Sequence, residues 1–214
     1  VVACDREGKR RQWGVMEYAY PEVRRYSIGI FTALLDRYDF DGVYVCTRTH
    51  SRPAEGADQF GFNEPVAAAY RERYGTDIRT QPFDAQKWRD LRGSFLTKFL
   101  EELRAEMDRR GKRVVVAIPR GDILGPPYGN MTLAWREWVE RKLVDGLVVG
   151  VTSGNWHYPS MKGRDRERGY LASVDEGWGL PPLDDDIRER YAPLCRKHGV
   201  LLRLQGGSWT RLSR

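Results

Sequence analysis

Tyr38-Asp39-Phe40-Asp41-Gly42-Val43-Tyr44-Val45-Cys46-Thr47-Arg48-Thr49-His50 decides how this chain is read. A polar turn leads into a short β-branched run, and the run ends in Arg48, Thr49 and His50 rather than in further apolar residues. A buried parallel strand that releases polar side chains at its carboxyl end is how an α/β protein builds a site. Outward from this stretch, apolar runs of strand length recur at 1–4, 113–118, 147–151 and 200–204. Segments of helical period lie between them.

Tyr20-Pro21-Glu22 opens the first helix, with proline suited to the first turn and Glu22 favoured at the positive helix end. Its expected buried stripe is Ile28, Phe31, Leu34 and Leu35. A second helix runs from Asn63-Glu64-Pro65 to Tyr74 and stops at Gly75. A long helix over 85–110 buries Trp88, Leu91, Phe95, Leu96, Phe99 and Leu103 and ends at Gly111. Further helices are predicted over 132–142, carrying Trp135, Trp138 and Val139, and over 187–198, capped by Asp184 or Asp185 and ended by Gly199.

Strands alternating with helices imply an α/β fold with a parallel sheet joined by right-handed crossovers. Runs that are apolar nearly throughout imply a sheet covered on both faces. The helix-to-strand turns at 38–41, 111–112 and 145–146 are tight, whereas the strand-to-helix connections at 48–62, 119–131 and 152–184 are long. Long loops at one end are the asymmetry of a (β/α)8 TIM-type barrel, whose site sits at the strand carboxyl ends. No glycine-rich dinucleotide turn follows any of these strands, so no cofactor is called for. A complete barrel takes about 250 residues, and Val1–Val2–Ala3–Cys4 reads like the end of a strand already under way. The expectation is a single barrel domain over 1–214, with the preceding strands missing from this numbering.

Composition narrows the function. Hydrophobic residues make up 41% and charged residues 31%, as in a globular protein, and no apolar run approaches the roughly 20 residues of a membrane span. The net charge of +6 suggests nucleic acid, but most basic residues sit beside acids on amphipathic helices, as in Glu101-Glu102-Leu103-Arg104-Ala105-Glu106. No nucleic-acid motif is present. Three cysteines, widely spaced, and three histidines define neither a disulfide framework nor a metal site.

Several stretches together resemble a known family: Tyr20-Pro21-Glu22-Val23-Arg24, Tyr38–Val43, Phe60-Gly61-Phe62-Asn63-Glu64-Pro65-Val66, Tyr70–Gly75, and Trp135-Arg136-Glu137-Trp138-Val139 ahead of Leu143-Val144-Asp145-Gly146-Leu147. In order and spacing they resemble the bacterial glycosyl-hydrolase-like family 10, covering most of residues 13–151. That resemblance implies a TIM-type barrel, often exported, that acts on or binds carbohydrate. It also implies a comparison at the opening strand. Asp41-Gly42 matches related barrel hydrolases, but Cys46 stands at a later Asp position and Arg48 where a chitinase-like strand carries Glu. No carboxylic acid comes from that strand end.

Glycoside hydrolysis in its usual form needs two carboxyl groups flanking the scissile bond. The best candidate is Asp122, in Ile118-Pro119-Arg120-Gly121-Asp122 at a predicted strand end, although Asp in such a turn also serves as a cap. Asp58 is a second candidate, Glu17 has a plausible rim position, and Glu64 before Pro65 reads as a helix-start residue. Arg48 and His50 fall on one side of an extended segment, suited to an anionic sugar or to holding a carboxylate in register; an ion pair of Arg48 with Asp58 or Asp122 would instead order the loop. His157 ends another strand, whereas His198 at a helix C-terminus faces the dipole. Asn155 and Gln205 complete a polar ring with Arg48 and Asp122. Trp156, Tyr158, Trp178 and Trp209 are the candidate sugar platforms, and Trp88, Trp135 and Trp138 read as core. The leading expectation is a glycoside hydrolase acting on a poly- or oligosaccharide. Its alternatives are a glycan-binding barrel without turnover, and a barrel enzyme using Arg48 and His50 on an anionic substrate.

Overall fold

The computed structural model describes residues 1–47, 59–124, 129–153 and 182–205. Its centre is a parallel sheet of four strands in the order β3 (Gly42–Cys46), β4 (Arg113–Arg120), β7 (Gly146–Ser153) and β8 (Leu201–Gln205). Apart from an irregularity between Ile118 and Arg120, the register is regular: Val43 lies beside Val114, Val116 beside Leu147, and Val149 beside Leu204. Within the sheet, β4, β7 and β8 are each reached from the preceding strand through a connection that contains helix, as parallel pairing requires. Gly42 has a packing reason. A Cβ there would collide with the carbonyl oxygen of Arg113, where β3 and β4 begin side by side.

α1 (Pro21–Arg37), α2 (Glu64–Tyr74) and α3 (Ala85–Arg109) keep their predicted bounds to within a residue or two. Asp84 caps α3 by accepting from the backbone N–H groups of Gln86 and Lys87, at 2.8 and 3.1 Å. Alternate residues of the strands, Val43, Val45, Val114, Val116, Leu147 and Val149, pack against Leu96, Phe99, Leu100 and Leu103 of α3. A second core lies between α2 and the first half of α3, where Phe62 stacks on Trp88 with ring centroids 4.3 Å apart. On α1, Ile28, Phe31 and Leu35 meet the main core but Leu34 does not; it is 45% exposed. Val23, Arg24 and Ser27 fill the rest of the contact, Arg24 reaching both carboxylate oxygens of Glu102 on α3 at 3.0 Å.

Four expectations change. The opening run does not join the sheet: β1 (Val2–Cys4) pairs antiparallel with β2 (Arg11–Met16) in a separate hairpin. Asn63 clamps that hairpin, its carbonyl accepting from the Cys4 N–H at 2.9 Å and its amide donating to the Val2 carbonyl at 3.0 Å. The long connection after β4 contains a second hairpin, β5 (Ile123–Leu124) with β6 (Met131–Thr132). That pairing takes Thr132 out of the following helix, so α4 is shortened to Trp135–Glu140. The last helix starts earlier than predicted, at α5 (Leu183–Asp186), with Pro182 rather than an aspartate as its cap. It then passes through a π-helical turn, Ile187–Tyr191, into α6 (Ala192–His198), which Gly199 ends in left-handed conformation.

The fourth change concerns the sheet's other face. Tyr44, Val115, Gly146 and Leu201 form one row on the side away from α3. Tyr44 and Leu201 are each 51% exposed, so the expectation of helix cover on both faces is not met among the described residues. A cavity of about 690 Å³ lies at the amino end of this face, bordered by Phe40, Tyr44, Leu201 and Arg203. It is at the opposite end of the sheet from the predicted site.

Candidate functional site

Strand direction places Cys46, Arg120, Ser153 and Gln205 at the carboxyl ends of the four sheet strands. Side-chain alternation divides that end in two. Cys46 continues the open face of Tyr44, whereas Val43 and Val45 face the helices. The Thr47 hydroxyl turns back to donate to the Ala117 carbonyl at 2.9 Å, closing the β3–β4 ladder. Gln205 ends β8 opposite Gly150.

Asp122 lies two residues beyond β4, and the side chains that bind it all come from helices. Its Oδ1 accepts from Trp135 Nε1 at 2.8 Å, from Arg136 Nη1 at 2.8 Å and from Arg190 Nη2 at 3.2 Å. Its Oδ2 accepts from Arg190 Nη2 at 3.0 Å. The Asp122 carbonyl accepts from the Leu133 N–H, anchoring the β5–β6 hairpin. Next to it, Tyr191 stacks on Trp135 with centroids 4.3 Å apart, and its hydroxyl accepts from the Gly121 N–H at 2.9 Å. Burial pushes the Tyr191 phenol up to about 12, so it stays an un-ionised hydrogen-bonding group. Fully buried Asp186 accepts from Arg190 at 3.1 Å and faces Arg120 at 3.6 Å. Asp122 is thus the hub of a carboxylate–guanidinium network that fastens the last helix and α4 to the end of β4.

Glu17 follows β2 and is buried. Its carboxylate accepts from Arg92 Nη2 and from the Ala19 N–H, both at 3.5 Å. Arg92, on α3, also donates to the Asn130 carbonyl at 2.7 Å and lies over the Trp88 ring. One arginine therefore ties the lip after β2 to the hairpin that carries Asp122. The other predicted residues, Arg48, His50, Asp58, Asn155, Trp156, His157 and Trp209, lie outside the described residues, as do Tyr158 and Trp178. Glu64 is at the start of α2 and pairs with Arg79 at 2.5 Å, consistent with a helix-start role.

Sequence reasoning did not find Arg92, Arg120, Arg136, Arg190, Asp186 or Tyr191. One signal was available: Asp186 and Arg190 are four apart on a helix, the spacing of a stabilising ion pair. Nothing in the sequence joined them to Asp122, 68 residues from Arg190. Among the described residues no group of three or more His, Cys, Asp or Glu gathers to hold a metal ion, and no helix is long and apolar enough to cross a membrane.

Residues 7–158 match the family model described as glycosyl hydrolase-like 10. The chain belongs to that family. The match runs from the turn of the β1–β2 hairpin through β7 and ends before the last helix and β8. Solved structures similar to this glycosyl hydrolase-like chain include the PgaB (BpsB) glycoside hydrolase domain from Bordetella bronchiseptica, at 18% identity and a TM-score of 0.45, covering 96% of this chain and 64% of that one. Another is the group IV chitinase from Ostrinia furnacalis, at 18% identity and a TM-score of 0.36, covering 64% of this chain and 27% of that one. The chain spans about a quarter of the chitinase's length. No curated protein matches it closely enough to count as a relative.

Proposed function

We propose that the protein is a carbohydrate-active (β/α) barrel protein in which residues 1–214 form one domain, and that its described rim recognises a poly- or oligosaccharide without supplying the proton donor for its cleavage. Family membership supports carbohydrate as the ligand, and the half-exposed row of Tyr44 and Leu201 is the sheet face a barrel would turn inward. The observation that carries the reading on turnover is the state of three carboxylates around the strand ends among the described residues. Asp122, Glu17 and Asp186 each accept from, or face, an arginine. A general acid must present an O–H to the leaving oxygen, and in Asp122 both oxygens already accept from cationic donors. Cys46, in place of the carboxylate that related strands carry, agrees with this.

The test is a glycan-array screen of the purified protein followed by a reducing-end assay on each ligand found. Binding without turnover is expected, unchanged by Asp122→Asn. Hydrolysis that disappears in Asp122→Asn would overturn this reading in favour of carboxylate catalysis. That second reading has one observation behind it: the Asp122 side chain is 43% exposed and within reach of a ligand.

A further inference from the structure

Trp13 is the most exposed large apolar residue described, at 78%. Its exposure is built into the hairpin. Ala3 lies opposite Gln12, yet the next pair is Val2 with Met16, so Trp13, Gly14 and Val15 are extra residues that bulge out of the β1–β2 ladder. Gly14 adopts φ +85°, a conformation that other residues rarely take, which allows the chain to leave the pairing and return. Bulges of this kind re-aim side chains and concentrate near functional sites. On one side of Trp13 the buried Gln12 faces inward, and beyond it Arg11 is again exposed.

The hairpin is also basic. Arg6, Lys9, Arg10 and Arg11 stand against Asp5 and Glu7 in and beside its turn. Two of these are committed to the fold: Arg6 to the Ile78 and Gln81 carbonyls, Arg10 to Asp5 and Gln59. Lys9 and Arg11 remain exposed. Arg11 is held by Nη1 alone, on the carbonyls of Gly8 and Arg10, and its Nη2 and Nε donors make no hydrogen bond among the described residues. The hairpin adjoins the candidate rim, since Glu17 directly follows β2 and Asp5 bridges to Phe60 on the segment returning from β3.

We propose that the bulge on the β1–β2 hairpin is an outer subsite for an acidic glycan, with Trp13 stacking on a pyranose face and Arg11 and Lys9 meeting its carboxylate or sulfate. The proposal rests on the carbohydrate reading above and names the substrate class. An aromatic face matches the C–H side of a sugar ring, and a guanidinium matches a carboxylate or sulfate through paired hydrogen bonds. A neutral glycan would use only the first.

The experiment titrates the protein, by calorimetry and tryptophan fluorescence, with a uronic-acid tetrasaccharide, a sulfated tetrasaccharide and a neutral tetrasaccharide. At least one acidic ligand should bind more tightly than the neutral one, and added salt should weaken that preference. Trp13→Ala should raise Kd about tenfold or more and remove the fluorescence change, with the melting temperature unchanged. Arg11→Gln should weaken the acidic ligand alone. If the wild type binds no glycan at all, the carbohydrate reading falls, and this subsite with it. If the wild type binds and Trp13→Ala binds equally well, only the subsite is overturned. A marked loss of stability in Trp13→Ala, or equal affinity for acidic and neutral ligands, overturns it as well.

Discussion

Arg190 Nη2 donates to both oxygens of Asp122, at 3.2 and 3.0 Å, and so joins the last helix to the end of β4. The same side chain reaches Asp186 through Nη1 at 3.1 Å. One guanidinium thus bridges two carboxylates on different elements, and Arg136 closes the other side of Asp122.

The pair is partly open to solvent, Arg190 being 28% and Asp122 43% exposed, which screens the attraction. A double-mutant cycle with Asp122→Ala and Arg190→Ala should therefore give a coupling of about 0.5–1 kcal/mol in urea unfolding. High salt should reduce it. A coupling of zero would show that the contact does not hold the helix in place.

Gly42→Ala should destabilise the protein. Alanine in a strand gains roughly 0.5–1 kcal/mol over glycine through chain entropy. Here its Cβ would meet a backbone carbonyl of β4 that cannot rotate away, and overpacking of this kind costs about 1–3 kcal/mol. The clash wins, so the urea midpoint should fall; a rise would mean that β3 shifts without loss.

Asp5 makes the β1–β2 hairpin acid-sensitive. Burial pushes its carboxyl up, but the Arg10 side chain and the backbone N–H groups of Arg10 and Lys9 outweigh this and hold it below its ordinary value. A depressed folded value means that the stabilisation is complete above the unfolded carboxylate value of about 3.9 and is lost as pH falls through the folded one. Asp5→Asn should be about 1–3 kcal/mol less stable than wild type at pH 7. The difference should shrink toward pH 2; a constant difference would refute the linkage.

The thiols should separate by accessibility. Cys4 and Cys195 are buried, and burial pushes both thiols up, which disfavours the reactive thiolate. Cys46 is part-exposed on the open sheet face. In the native protein at pH 8, an aromatic disulfide reagent should titrate Cys46 quickly and the other two on unfolding. Fast reaction of all three would place β1 or α6 in exchange with open states.

What could be read from the sequence was mainly local. The 3.6-residue pattern of Trp88, Leu91, Leu96, Phe99 and Leu103 and the glycines after α2 and the last helix place those elements closely, because periodicity and capping act within a few residues. The apolar run after Asp41-Gly42 identifies β3 for the same reason. Short strands were harder. Val2–Cys4 has the composition of a sheet strand, yet it pairs with Arg11–Met16, a segment too polar to stand out. Partner choice is a long-range matter, settled here by Asn63, 59 residues from Cys4.

The candidate site divides along the same line. Residue type and position at a strand end made Asp122, Glu17 and Gln205 visible in the sequence, and Cys46 and Arg48 showed which carboxylates that strand end does not carry. The tertiary structure decided what the carboxylates face. Asp122 meets Arg136 and Arg190, Glu17 meets Arg92, and Trp13 is pushed outward by a bulge. The sequence by itself determined the alternation of strands and helices and the end of the sheet where polar residues collect. Only the tertiary structure decided which of those residues are held by arginines, because ionic pairing depends on distances of a few ångströms between segments far apart in the chain.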